Sequence, residues 1–196
     1  MRVIAGDFKG RRLTPVPGSS TRPTTDKVKE SIFNIIGPYF DGGQVLDLFA
    51  GTGALGIEAL SRGMDRAVFI EQDAKALQVV RRNVDACKLE SRADIYRNDA
   101  RRAISVLAKR KEQFDLVFMD PPYHFHIIPD LAASLDRHDL LRDTAVIVAE
   151  HSKDAVLPDQ LESLRRWKLV TYGDTSVSFY RKGTFTNEDS GLSGQF

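Results

Sequence analysis

Residues 45–56 read Val45-Leu46-Asp47-Leu48-Phe49-Ala50-Gly51-Thr52-Gly53-Ala54-Leu55-Gly56, an apolar run that breaks into glycines and continues through Glu58-Ala59-Leu60. Such a run bounded by glycine predicts a buried strand, a tight turn and a helix. The glycines let the backbone approach a ligand closely, and the free N–H groups of the helix start favour a negative group. Gly51 to Gly56 matches the dinucleotide fingerprint, with Glu71 about where a ribose-binding acid belongs. Two details turn the reading away from NAD: three residues separate Asp47 from Gly51, and Asp47 sets a carboxylate where a pyrophosphate would want none. A ligand with an amino-acid end, offering an ammonium as well as a carboxylate, tolerates that acid. The bland alternative is a packed glycine turn beside a solvated Asp.

The same alternation extends outward. Apolar runs at 45–49, 67–70, 95–96, 114–119 and 145–149 are separated by segments of helical periodicity, such as Leu77, Val80, Val84 and Cys87 along one side. This pattern predicts a parallel sheet covered on both faces, with Cys87 buried as a small hydrophobe. After residue 150, Trp167–Tyr172 and Thr175–Tyr180 flank Gly173-Asp174 and read as an antiparallel hairpin closing the sheet.

Asp47, Glu71 and Asp99, the last in Asn98-Asp99-Ala100, thereby fall at the carboxyl ends of three successive strands, the edge where open sheets bind ligands. The row suits an amino-acid ammonium, ribose hydroxyls and an adenine amino group in turn. Asp99 reads equally well as a helix cap. A fourth strand, Phe114 to Met119, ends in Asp120-Pro121-Pro122-Tyr123. Each proline fixes its φ, lacks an N–H and restricts the residue before it, so the tetrapeptide is a stiff acceptor. Asp120 and the Pro121 carbonyl, accepting the two N–H bonds of a nucleobase amine, would turn its lone pair toward an electrophile. Tyr123 offers a ring for the base to stack on.

With 196 residues, 42% of them apolar, the chain has the material for one domain with a real core. Twenty-eight Lys and Arg against 27 Asp and Glu leave a net charge of +1, so a nucleic-acid partner must be met by a local patch. That patch is at the start, where residues 1–30 carry seven basic side chains against three acidic ones. Val3–Ala5 and Arg11–Leu13 read as a small hairpin, and Pro15, Pro17, Gly18 and Pro23 keep the following stretch irregular. Arg11, Arg12, Arg22 and Lys27 are the candidate phosphate contacts, with plain solubilising charge as the alternative. Thr24, Thr25 and Asp26 can cap a helix with Val28, Ile32, Ile35 and Ile36 on its apolar side and Lys27, Ser31 and Asn34 on its polar side. The expected division is a basic arm over 1–24, a catalytic domain over 25–182 and a disordered tail over 183–196. One cysteine and four histidines in no close spacing argue against a disulfide or zinc site, and no apolar run approaches a membrane span. A soluble protein of a reducing cytoplasm, monomeric and without a metal, is the expectation.

The combination of Leu46-Asp47-Leu48-Phe49-Ala50-Gly51-Thr52-Gly53 with Asp120-Pro121-Pro122-Tyr123 resembles the class I S-adenosylmethionine-dependent amino-methyltransferases. Arg22-Pro23-Thr24, the helix through Ser31-Ile32-Phe33-Asn34, and Ala54 to Gly63 resemble more closely the RsmD-type 16S ribosomal RNA guanine-N2-methyltransferases, from Met1 to about Lys182. The resemblance implies a Rossmann-like α/β fold, its seven-stranded, mostly parallel sheet covered by helices on both faces and ending in an antiparallel hairpin. It implies S-adenosylmethionine as cofactor, held by Asp47, Phe49, Gly51, Gly53, Glu71, Asp99 and Ala100 with Thr24 and Asn34. It also implies catalysis at Asp120, Pro121, Pro122 and Tyr123, and a substrate that is the small ribosomal subunit or its precursor.

On this reading the guanine 2-amino nitrogen displaces the sulfonium methyl in line, and no metal is needed because the leaving group is already positively charged. Catalysis comes mainly from alignment, with Asp120 stabilising the amine as it gains charge. The target base must be flipped or lie in a loop, and His124, Phe125 and His126 either line its entry or form a surface loop. A DNA or RNA amino-methyltransferase acting on adenine or cytosine shares both motifs. An NAD-linked oxidoreductase leaves Asp120 to Tyr123 without a role, and a non-catalytic RNA-binding scaffold is the remaining rival.

Overall fold

The computed structural model describes residues 1–18, 25–122 and 126–182. In chain order the elements are α1 (Asp26–Ile36), β1 (Gln44–Asp47), α2 (Ala54–Ser61), β2 (Arg66–Glu71), α3 (Ala74–Ala86), β3 (Ala93–Arg97), α4 (Ala100–Lys109), β4 (Phe114–Met119), α5 (Ile127–Arg137), β5 (Leu141–Ser152), β6 (Gln160–Leu161), β7 (Leu164–Tyr172) and β8 (Thr175–Lys182). They build one eight-stranded sheet in the order β3-β2-β1-β4-β5-β8-β7-β6. The first five strands are parallel, and β8, β7 and β6 close the sheet antiparallel. The expected Rossmann-like sheet is present with one strand more than seven: β6 is two residues long, too short to leave an alternation in the sequence.

Each face of the sheet buries a separate apolar cluster. On one side α4 and α5 contribute Ile104, Leu107, Ile128, Leu131 and Leu135 against Leu46, Val68, Val117 and Ile147. On the other, α1, α2 and α3 contribute Phe33, Ile57, Leu60 and Val80 against Val45, Phe69, Phe118 and Val148. Val3 and Leu13 of the first eighteen residues belong to this second cluster. Cys87 is buried at the C-terminal end of α3 with its thiol pKa raised by that burial.

α1 starts where Thr25 accepts the Val28 N–H and stops at Gly37. Its buried positions are Lys29, Ile32 and Phe33, so the inward face is turned toward Lys29 relative to the apolar stripe expected from Val28, Ile32, Ile35 and Ile36. The cause is a buried partner. Lys29 Nζ lies 3.2 Å from Glu58 Oε2 on α2 and donates to the Arg2 carbonyl at 2.5 Å. Glu58 also meets Arg62 Nε at 2.8 Å and accepts the backbone N–H groups of Ile4 and Ala5 at 2.9 and 3.0 Å.

The opening segment thus directs its hydrogen bonds to the domain more than to itself. Among the described residues its ladder feature is the antiparallel bridge Arg2↔Arg12, with the Val3 N–H donating to the Arg11 carbonyl and the Gly10 N–H to the Val3 carbonyl. Ser61 of α2 donates to the Ala5 carbonyl and accepts from the Phe8 N–H. The tail from 183 onward lies outside the described residues.

Candidate active site

Sheet order reverses between β1 and β4: the chain runs outward through β2 and β3, then returns to lay β4 on the other side of β1. Such a switch point opens a crevice at the carboxyl ends of the two strands, because the following loops leave in opposite directions. The glycine turn leaves β1 there, and Asp120-Pro121-Pro122 leaves β4 beside it, with Leu48 N–H bonded to the Phe118 carbonyl at 3.1 Å.

Alternation along each strand decides which way the acids point. Val45, Phe69, Phe118 and Val148 face the α1–α3 side, so Asp47, Glu71, Asp120 and Glu150, each two residues further on, share that side. Across the edge the order is Glu71, Asp47, Asp120, Glu150. Glu150 is not among the residues expected from the sequence, although it ends the apolar run 145–149 as Asp120 ends 114–119 and Glu71 ends 67–70.

Asp47 is only 2% exposed, and its carboxylate accepts the backbone N–H groups of Phe49 and Gly56, pinning the turn to the first turn of α2. Burial raises its pKa to about 7, with Glu71 adding to the rise and the two backbone bonds opposing it. Gly53 caps α2 in the left-handed region at φ 80°. A Cβ on Gly56 would stand 2.3 Å from Phe69 Cε1, so glycine is what lets α2 lie against β2.

Glu71 Oε2 accepts the Gly51 N–H and Oε1 the Asp73 N–H, both at 2.8 Å, so this acid ties the glycine turn to the end of β2. Asp99 is the N-cap of α4: Oδ1 takes the N–H groups of Arg101 and Arg102 at 3.0 and 3.2 Å. Ala100 is the first, buried residue of that helix, and Phe49 is half-buried against the α4–α5 cluster. Asp120 is half-buried, its pKa pushed well above the carboxylate range by burial first, then by Glu150 and Asp47. Among the described residues no Lys or Arg forms an ion pair with Asp47 or Asp120. Two carboxyl groups are therefore held near the switch point without a protein cation, an arrangement that favours a ligand bringing positive charge.

Other expected residues are more scattered. Asn34 and Lys27 are exposed on α1, and Ser31 bonds the Tyr172 hydroxyl of β7. Arg11 and Arg12 are exposed and, with Asp7, Phe8, Lys9 and Gly10, line a shallow depression in the opening segment. Thr24, Arg22 and Tyr123, together with His124 and Phe125, lie outside the described residues; His126 is exposed at the start of α5. No group of three or more potential metal ligands occurs among the described residues, and no helix there is long and apolar enough to cross a membrane.

Comparison with known proteins agrees with this architecture. The family model described as "Conserved hypothetical protein 95" matches residues 1–181. "Putative rRNA methyltransferase YlbH" of Bacillus subtilis is 51% identical over 182 residues, 93% of this chain and 99% of that protein. "Ribosomal RNA small subunit methyltransferase D" of Escherichia coli is 38% identical over 185 residues, covering 93% and 90%. Among solved structures, "Putative methyltransferase yhhF from Escherichia coli" superposes with a TM-score of 0.81 at 32% identity, covering 94% of this chain and 99% of that one. The glycine turn, the acid-bearing strand ends and the Asp-Pro-Pro exit of β4 all fall within the matched stretch, and the chain belongs to this family, Conserved hypothetical protein 95, the RsmD family.

Proposed function

We propose that the protein transfers the methyl group of S-adenosylmethionine to the exocyclic 2-amino group of a guanine in 16S ribosomal RNA, presented in the small ribosomal subunit or its assembly precursor. The observation that carries the reading is the pairing, on adjacent strands at the switch point, of a glycine turn anchored by buried Asp47 with the stiff acceptor Asp120-Pro121-Pro122. The relatives named as ribosomal RNA methyltransferases support the substrate class.

The site fits the cofactor on its own chemistry. Asp47, which no cation among the described residues neutralises, suits the ammonium of its amino-acid end; Glu71 suits the ribose hydroxyls; Asp99, through the oxygen not engaged in capping, suits the adenine amino group. When bound, S-adenosylmethionine supplies a methyl group on a positively charged sulfur. Asp120 and the Pro121 carbonyl accept the two N–H bonds of the target amine and orient its lone pair. Arg11 and Arg12 hold phosphates of the RNA.

The test is incubation with labelled cofactor and small subunits from a strain lacking the protein, with the modified nucleotide mapped by mass. Label on a guanine of 16S RNA is expected; label on an adenine or cytosine, or none, overturns the reading.

Two further outcomes follow. Because only ionised Asp47 attracts the ammonium, and its pKa in the free protein is about 7, binding of S-adenosylhomocysteine tightens as pH rises toward and through neutrality. Below 7 the change reaches about tenfold per pH unit. Isothermal titration from pH 5.5 to 8.5 reads this, and Asp47→Asn flattens the profile. Substituting Arg11 and Arg12 by glutamine weakens subunit binding and lowers the slope of log K against log salt by about 0.7–0.9 for each phosphate no longer neutralised. An unchanged slope removes these residues from the interface.

A further inference from the structure

The side chain that joins the opening segment to the glycine turn is Asn83 of α3. It is 1% exposed. Its Oδ1 accepts the Thr14 N–H at 2.7 Å, and its Nδ2 donates to the Thr14 carbonyl at 3.0 Å and to the Thr52 carbonyl at 2.8 Å. One amide group therefore grips both backbone polar groups of Thr14 and, with its second N–H, the middle of the Gly51-Thr52-Gly53 turn. A buried amide with these three bonds made has little freedom to release one without leaving a polar group unpaired in the core, so the two segments move together or not at all.

Apart from Arg2, which is held by Lys29 and Asp26 of α1, much of the remaining attachment follows the same route. Ile4, Ala5 and Phe8 hang from Glu58 and Ser61 on α2, the helix that the glycine turn opens into. The Thr52 hydroxyl also lies 3.7 Å from Met1 Sδ. These polar anchors of residues 1–14 thus sit on the turn or on the two helices packed beside it. Arg11 and Arg12, which carry the charge for RNA, lie three and two residues from Thr14.

We propose that Asn83 is a positioning residue that couples the RNA-holding segment to the cofactor-holding turn, so that RNA bound at Arg11 and Arg12 tightens the binding of cofactor, and cofactor tightens RNA to the same degree. The inference rests on the function proposed above. Its physical content is linkage: RNA that orders the opening segment orders Thr14, the Asn83 amide transmits that order to the Thr52 peptide, and a turn already ordered costs less to close on its ligand. Coupling between sites of this kind commonly amounts to about 5- to 150-fold in affinity.

The experiment measures the Kd of S-adenosylhomocysteine for the full chain with and without small subunits from a strain lacking the protein, alongside methyl transfer to those subunits. Wild type is expected to bind it at least about fivefold more tightly with subunits present. Asn83→Ala, and Asn83→Asp as the variant that keeps size and one acceptor but loses both donors, are expected to bring the ratio below about twofold while each ligand alone still binds. A merely structural role would weaken both single affinities and leave their ratio in place.

A second measurement needs no variant. Amide hydrogen exchange at residues 51–54 of the wild type is expected to slow when subunits bind in the absence of any cofactor. Intact methyl transfer with an unchanged Kd, or coupling that persists in both Asn83 variants, overturns this inference alone. Absence of methyl transfer overturns the proposed function and this inference with it.

Discussion

Replacing Glu58 by alanine is expected to destabilise the protein by about 3–5 kcal/mol, read as a lower denaturant midpoint at unchanged slope. The size follows from what the substitution leaves behind. Lys29 is fully buried with its ammonium 3.2 Å from Glu58, and burial already lowers its pKa while Glu58 acts to raise it. Without Glu58 the lysine keeps the burial cost and loses its largest compensation. The N–H groups of Ile4 and Ala5 lose their acceptor, and Arg62 keeps the Pro38 carbonyl but not its carboxylate.

The pH dependence has a definite sign. A lysine whose folded pKa lies below its unfolded value of 10.5 binds fewer protons folded than unfolded, so the variant gains stability as pH rises through the window below 10.5. Coupling Glu58→Leu with Lys29→Met removes the Lys29–Glu58 pair but leaves Arg62 buried without its carboxylate and the Ile4 and Ala5 N–H groups without their acceptor, so it is expected to recover only part of the loss. A loss under about 1 kcal/mol for Glu58→Ala would mean that the opening segment is held by its apolar contacts, Val3 and Leu13, and not by this network.

Asp120→Ala is expected to lower turnover about 10- to 150-fold, the equivalent of about 1.5–3 kcal/mol for a charged hydrogen bond made to the reacting amine, with S-adenosylhomocysteine binding nearly unchanged. Near-full turnover in a variant that still binds the cofactor product would remove Asp120 from the chemistry. The acid limb of the pH–rate profile provides an independent reading. Burial, Glu150 and Asp47 all hold the Asp120 pKa well above the ordinary carboxylate value, and only the ionised form is a strong acceptor for the amine N–H. Activity should therefore rise with pH along a limb displaced upward from the carboxylate range. Glu150→Gln removes one of the charges that displace it and is expected to move the limb toward lower pH. The limb belongs to the coupled acids together, so its midpoint is a property of the set rather than of Asp120 alone.

Local signals suffice wherever a feature is carried by neighbours in the chain. The strand Phe114–Met119 coincides with its apolar run because hydrophobic residues flanked by a turn and a proline pair admit little else. The glycine turn, the Asp99 cap and the row of acids at the strand ends are legible for the same reason: each depends on a few consecutive residues and on the rule that parallel strands align their carboxyl ends. Glu150 carries the same signal, but no proline pair or glycine turn follows to mark it.

Polarity misplaces the residues whose partners are remote. Lys29, counted among the seven basic side chains of residues 1–30, is buried, since the acid that accepts it stands on another helix. Asn83 is absent from the candidate residues expected from the sequence, yet it clamps Thr14, 69 positions away, to Thr52.

What the linear order of residues determined unaided is the alternation of strands and helices that makes a parallel sheet, together with the glycine turn after β1 and the proline exit of β4, because strand period, proline stiffness and glycine freedom act over a handful of bonds. Tertiary structure alone decided that Asp47, Glu71, Asp120 and Glu150 share one side of the sheet, that Asp47 is buried deeply enough for its pKa to approach 7, and that the opening segment is bonded into the helices beside the glycine turn. Burial and long-range hydrogen bonding depend on which surfaces the folded chain brings together, and a linear pattern does not carry that distance.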